Sequence, residues 1–289
     1  QYNRHINRAF IHRVLSLVDG KPITIGEAHR LAQNDLVSGN GPTSGSDVTV
    51  NHLHYSLLGD PALALNLPMH QIVVDSINGI PVAGAATLPM LKAGSIARMA
   101  GHIEGADDFR GVITATVRDS KETVTCRLND TGKDGAEKAF EYKDRTKTLY
   151  QGTDSVRGGK FTFSFAVPLD INYSNQSGLV NLYAVNTAKT LSAHGSSEQF
   201  TVGESEEQKN DSIGPSIYCY LNSPSFVDGG NVNTTPFFVA KITDKDGINA
   251  AGSGIGHDLQ LVIDGDMSKA YVLNSNFIYD FGTYTSGST

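Results

Sequence analysis

The chain has 289 residues, a formal net charge of −7, 30 glycines and no tryptophan. At ordinary domain sizes that is room for about two domains. The acidic balance and the scattered Lys and Arg exclude a general affinity for nucleic acid. No run approaches the roughly 20 apolar residues that cross a bilayer as a helix.

The chain opens on a helical pattern. Over Asn3–Val18, the residues Ile6, Ala9, Phe10, Val14, Leu17 and Val18 recur at helical spacing, and Gly20 and Pro22 close the segment. No signal peptide precedes it, as expected of a piece of a longer protein. Thr24-Ile25-Gly26-Glu27 reads as a capping box. Ala28, Leu31, Ala32 and Leu36 continue the second helix, and 38–47 is a small polar loop. Each helix would leave an apolar stripe in water. Covering one large aliphatic side chain is worth about 1.5–3 kcal/mol, so the pair needs a partner surface.

The stretch NHLHYSLLGDPALALNLP, 51–68, follows. His52 and His54 could share a strand face, as in some metal sites. No Cys or carboxylate cluster stands beside them, so structural histidines are the expectation. Asp60 reads as a turn former.

After Pro68 the period changes to two. His70–Ile77, Gly111–Asp119, Glu122–Leu128, Lys160–Pro168, Leu179–Asn186 and Ser197–Val202 alternate and are rich in β-branched residues. Asn78-Gly79, Asp134-Gly135 and Gly158-Gly159 supply the turns. Strands without intervening helices predict a β-sandwich of about 130 residues, Ig-like in architecture only, because the Cys…Trp…Cys signature is missing.

Within it, Asp130, Asp134, Gly135 and Glu141 nearly fit a calcium-binding EF-hand loop. Position three is Gly132 and the flanks are strands, so a hairpin loop is the preferred reading, with calcium the alternative. No other cofactor is expected.

Cys126 and Cys219 lie far apart, and two covered thiols are expected rather than a disulfide. Cys126 shares its alternation with Val124 and Leu128, which suggests a core-facing thiol. His194-Gly195 superficially matches the His-Gly of a caspase-like dyad but falls between sandwich strands. With no G-x-S-x-G, no phosphate loop and no paired-Cys spacing, no catalytic centre emerges.

An acidic linker, 204–214, leads to a second β-rich run: SIYCYL, PFFVAKITD, DLQLVID and AYVLN. These are too few strands for a closed sandwich, so open edges are expected. The acidic turns Asp244–Asn249 and Asp264–Asp266 need no ion, since Asp bonds its own backbone in turns.

Longer stretches carry a resemblance. YSLLGDPALAL resembles the segment that closes the caspase-like domain of gingipain-type cysteine peptidases, and ITIGEAHRLAQND resembles the last helices of that domain. YKDRTKTLYQGTDSVRGGKFTFSFAVPLDINYS, GLVNLYAVN, GPSIYCYLNSPSFVDGGNV and PFFVAKITDKDGINAAGSGIGHDLQLVID are similar to the type IX secretion sortase branch of that family. The resemblance implies that 1–68 is the remnant of a caspase-like α/β domain. It further implies that 69–203 is an Ig-like sandwich, 204–214 a linker, and 215–289 a second, truncated β-domain.

It also implies a surface-associated, outer-membrane protein of a Bacteroidetes-type bacterium. Its parent would cleave sorting domains from secreted cargo by acyl transfer through a thioester. The family's catalytic His and Cys would lie upstream of Gln1, so no catalytic residue is assigned here. The implied partners are the upstream catalytic domain, outer-membrane attachment proteins and cargo. A surface adhesin or glycan-binding module is the alternative, with Tyr218, Tyr220, Phe237 and Phe238 as its aromatic cluster.

Overall fold

The computed structural model describes residues 2–38, 54–126, 138–206, 213–250 and 258–289. The chain falls into two compact units, Gln1–Pro68 and Met69–Thr289.

The first unit is built on α1 (Tyr2–Val14) and α2 (Ile25–Val37). α1 ends earlier than its pattern suggests. Asp19 and Gly20 both take positive φ, and the tight turn they form pairs Leu17–Val18 with Lys21–Pro22. Leu17 and Val18 are therefore exposed rather than part of the helix stripe. Ile6, Ala32 and Leu36 form a small core with Ala9 and Phe10 against it. Beside it the Arg13 guanidinium grips Asp35 with two bonds, Nε to Oδ2 at 3.0 Å and Nη2 to Oδ1 at 2.9 Å.

The second unit is mainly β. Seven strands carry it: β1 (His70–Ile77), β2 (Ile96–Ile103), β3 (Gly111–Arg118), β4 (Thr148–Arg157), β5 (Lys160–Ala166), β6 (Leu179–Asn186) and β7 (Ser192–Ser197). The pairing order β7-β6-β3-β4-β5-β2-β1 closes into a ring, because β7 also pairs in parallel with β1. Two of the joins are short. β4 and β5 share only Val156↔Phe161 and Arg157↔Lys160, and β7 and β1 share only Ala193↔His70 and His194↔Gln71. The ring is thus two sheets, β1-β2-β5 and β4-β3-β6-β7, joined at both edges. That is an immunoglobulin-type sandwich with its edges drawn together, which leaves fewer unpaired strand edges.

Alternation explains the core. Ala97, Met99 and Ile103 of β2, Ile113, Ala115 and Val117 of β3, and Val180, Leu182 and Ala184 of β6 are all buried. β5 presents Phe161, Phe163 and Phe165 on the same face, with neighbouring rings stacked at 6.2 Å.

β4 breaks the rule at one point. Thr148 opposes Arg118 but Tyr150 opposes Val117, so Leu149 is the extra residue of a bulge. Both Leu149 and Tyr150 are buried as a result. Tyr150 then lies over Phe165 at 4.9 Å and Phe163 at 5.9 Å. Its ring covers Gly152, where a Cβ would sit 2.0 Å from the Tyr150 hydroxyl oxygen.

At the end of β3, Asp119 is fully buried. Its carboxylate accepts the N–H groups of Ser120 and Asn172, both at 2.6 Å, and so ties the 168–175 loop to the strand. Burial raises its pKa above the usual Asp value.

A second sheet follows: β8 (Ser216–Leu221), β9 (Phe238–Thr243), β10 (Ile278–Tyr279) and β11 (Ser286–Ser288), in the order β8-β9-β11-β10. It packs where β4 and β5 diverge. Tyr279 meets Tyr150 at 5.2 Å, Phe277 meets Tyr279 edge-on at 4.9 Å, and the Gly282 N–H donates to the Thr153 carbonyl at 2.9 Å. Ile242, Ile248, Phe277 and Tyr279 belong to the same apolar cluster as the sandwich interior.

Removing the Tyr150 ring should therefore destabilise the whole second unit. Tyr150→Ala is expected to lower unfolding free energy by about 3–5 kcal/mol in urea titration, as for other buried aromatics. Burial raises the Tyr150 pKa from 10.0 to about 12. A raised folded-state pKa gives stability that is complete below pH 10 and is lost as pH rises through 12. Tyr150→Phe should remove this share, so its stability declines less between those pH values than that of the native chain. An identical decline would refute the assignment.

Candidate functional surfaces

The GDP turn of the 51–68 stretch acts on α2. Thr24 Oγ1 accepts the Glu27 N–H at 3.2 Å, as a capping box requires. The reciprocal half is absent, because the Glu27 carboxylate instead binds Arg30, with Nε at 2.8 Å and Nη2 at 2.6 Å. The remaining helix N–H groups find backbone carbonyls. Ile25 donates to Leu63 O at 2.7 Å and Gly26 to Pro61 O at 3.0 Å. A Cβ at Gly26 would stand 2.6 Å from Pro61 Cβ, so only glycine admits this approach. Asp60 Oδ1 accepts the Ala62 N–H at 2.9 Å, the short-range turn expected of it. Leu58, just before this turn, is 94% exposed.

No thiol–imidazole pair is hydrogen-bonded among the described residues. Cys126 and Cys219 are both exposed, contrary to the expectation of covered thiols. Val124, two residues before Cys126, is half-buried, while Cys126 itself is open to solvent. His194 lies in β7 opposite Tyr183 and Gln71. Gly195 has a structural reason: a Cβ there would sit 2.1 Å from the Ile72 carbonyl oxygen, so glycine lets β7 approach β1. His102 Nδ1 lies 2.9 Å from both carboxylate oxygens of Asp75, on an exposed sheet face with no thiol in contact. His29 carries a buried Nε2 without a hydrogen-bond partner, beside the edge of Phe10.

Among the described residues no group of three or more His, Cys, Asp or Glu could hold a metal. Asp130, Asp134 and His52 lie outside the described residues. Glu141 opens the strand Glu141–Asp144, and it and His54 are exposed. The later acidic turns are self-satisfied. Asp244 Oδ1 accepts the Asp246 N–H at 2.9 Å, and Asp266 Oδ1 accepts the Ser268 N–H at 3.0 Å.

What the structure does present is uncovered apolar surface. Glu122–Thr125 pairs with Glu141–Asp144 as a two-stranded arm between β3 and β4. Val124 opposes Tyr142, and the Phe140 and Tyr142 rings stack at 6.3 Å, with Phe140 69% exposed. In β8, Ile217 is 58% exposed on one face and Tyr218 51% on the other. The Tyr218 and Tyr220 rings lie 5.6 Å apart. Alternation alone would bury one side of this strand, and neither side is buried. Phe237 is 72% exposed, while Phe238 is half-buried.

No family model and no curated protein matches the chain. Among solved structures, the crystal structure of dimeric latent PorU from Porphyromonas gingivalis matches 96% of it at 32% identity, with a TM-score of 0.53. The chain has a PorU-like fold. The match covers 25% of the PorU chain, so this chain spans about a quarter of that length. The resemblance read from the sequence thus has a structural counterpart in PorU. Among the described residues, no helix of the PorU-like fold is long and apolar enough to cross a membrane.

Both thiols should react with a maleimide or disulfide reagent in the native protein. Two equivalents per chain are expected without denaturant. A second equivalent released only on unfolding would contradict the exposed placement of Cys126 or Cys219.

Proposed function

We propose that this chain is a non-catalytic region of a PorU-like cysteine peptidase and sortase of type IX secretion. In this reading it is exported and held at the cell surface or outer membrane. Its sheets brace an upstream catalytic domain and offer docking surface to attachment-complex proteins and to secreted cargo. The observation that carries the reading is the match to PorU at 32% identity along 96% of the chain. The PorU structure is that of a dimer, and self-association belongs to the proposed role.

Purified chain should show no thiol-dependent hydrolysis of peptide or sorting-domain substrates. Hydrolysis abolished by Cys126→Ala or Cys219→Ala would place a nucleophile inside these residues and overturn the reading.

A second reading is favoured by one observation, the exposed Tyr218–Tyr220 pair. Aromatic faces in water suit a glycan-binding surface, and the module would then be an adhesin. Glycan-array binding that Tyr218→Ala removes would establish it, and an empty array would leave it without support.

A further inference from the structure

The sandwich buries a cation whose hydrogen-bonding edge is half filled. Arg145 joins the arm strand Glu141–Asp144 to β4 and is only 8% exposed. Its Nη2 donates to the carbonyl oxygens of Ser177 at 3.3 Å and Gly178 at 3.5 Å, just before β6. The same Nη2 lies 3.2 Å from Glu198 Oε1, just after β7. Nε is buried and has no hydrogen-bond partner. The neighbouring Asp144 does not serve it; Asp144 Oδ1 accepts the Arg145 backbone N–H at 2.8 Å.

A guanidinium presents Nε and one Nη as a fork that matches the two oxygens of a carboxylate. Elsewhere in this chain the fork is filled. Arg13 places Nε and Nη2 on the two oxygens of Asp35, and Arg30 does the same on Glu27. At Arg145 the equivalent edge meets one carboxylate oxygen, on Nη2 alone. Leaving a buried charged donor unpaired is unfavourable. An apolar side chain of similar volume would fill the space without that penalty, so packing alone does not call for Arg here.

Glu198 marks a route in. Its side chain is 55% exposed and reaches the guanidinium from solvent. A ligand that displaces it can follow the same path. The Ser177 and Gly178 carbonyls beside Nη2 then select among anions. A planar carboxylate lays its two oxygens along the fork, whereas the further oxygens of sulfate would meet acceptors with no proton to share.

We propose that the Nε–Nη2 edge of Arg145 is a binding site for a carboxylate from outside this chain, with Glu198 as its displaceable occupant. The site is built from sandwich residues and does not rest on the PorU-like role.

Nitrogen-15 NMR of the full chain tests it through the Arg145 Nε–H signal, assigned by through-bond correlation to its own backbone. Acetate is titrated against chloride at constant ionic strength. The Arg145 signal should shift saturably, while those of Arg13 and Arg30, whose forks are already filled, stay in place. Glu198→Ala removes the competing carboxylate and should tighten acetate binding about two- to fivefold, the worth of an exposed ion pair. Arg145→Lys keeps the charge but lacks the fork, and should lose the acetate-dependent shift of the Gly178 amide. Glu198→Ala, at an exposed position, keeps the test decisive if the Lys variant does not fold. N-acetylalanine offers only a main-chain carboxylate and N-acetylglutamic acid amide only a side-chain one, so the tighter of the two names the source. An Arg145 signal that acetate leaves unmoved in both the native chain and Glu198→Ala overturns the site. So does acetate binding that Glu198→Ala weakens, or sulfate binding as tight as that of acetate. None of these results touches the peptidase reading, which only the hydrolysis assay decides.

Discussion

The second unit depends on how the gap between β4 and β5 is filled. These strands leave their hairpin after two residue pairs and separate into different sheets. A sandwich edge that opens in this way exposes its aromatic interior. Here the Leu149 bulge turns Tyr150 inward, and Tyr279 and Phe277 close over it from the later sheet. Aromatic pairs contribute about 0.5–1.5 kcal/mol beyond the area they bury. A chain of such contacts makes the sandwich and the later sheet share one core.

That sharing explains the burial of the later sheet. β9, β10 and β11 cover Ala240, Ile242 and Tyr279 because they lie over the gap. β8 lies farthest from it in strand order and has no such cover. Its residues alternate as properly as those of β2, yet both faces meet solvent. Composition does not separate the two strands; position relative to Tyr150 does.

Much of this fold was legible from period alone. The β1, β3, β5 and β6 patterns each name a buried face, and Asn78-Gly79 and Gly158-Gly159 fall at turns with positive φ. Period two, however, says which residues share a face and not what covers it. Cys126 follows Val124 in the arm, as its spacing implies, yet Val124 is half-buried and Cys126 exposed. The β7–β1 closure was also hidden. It rests on two residue pairs and on the missing side chain of Gly195, a signal that reads as an ordinary turn glycine until Ile72 is placed beside it. The capping box was half legible. Its Thr24 bond is local, whereas the carbonyls of Pro61 and Leu63 that finish the cap come from a distant turn.

Among the described residues, the carboxylates of the acidic turns do backbone work. Asp60, Asp244 and Asp266 satisfy nearby N–H groups, and Asp119 holds a loop to the end of β3. A turn carboxylate that accepts a backbone N–H has a structural reason to be where it is, with no ion needed to explain it. The uncommitted hydrogen-bonding capacity lies instead on strand edges and the uncommitted apolar area on strand faces. Those are the resources of a surface that binds other chains. The scaffold role proposed above draws on those edges and faces.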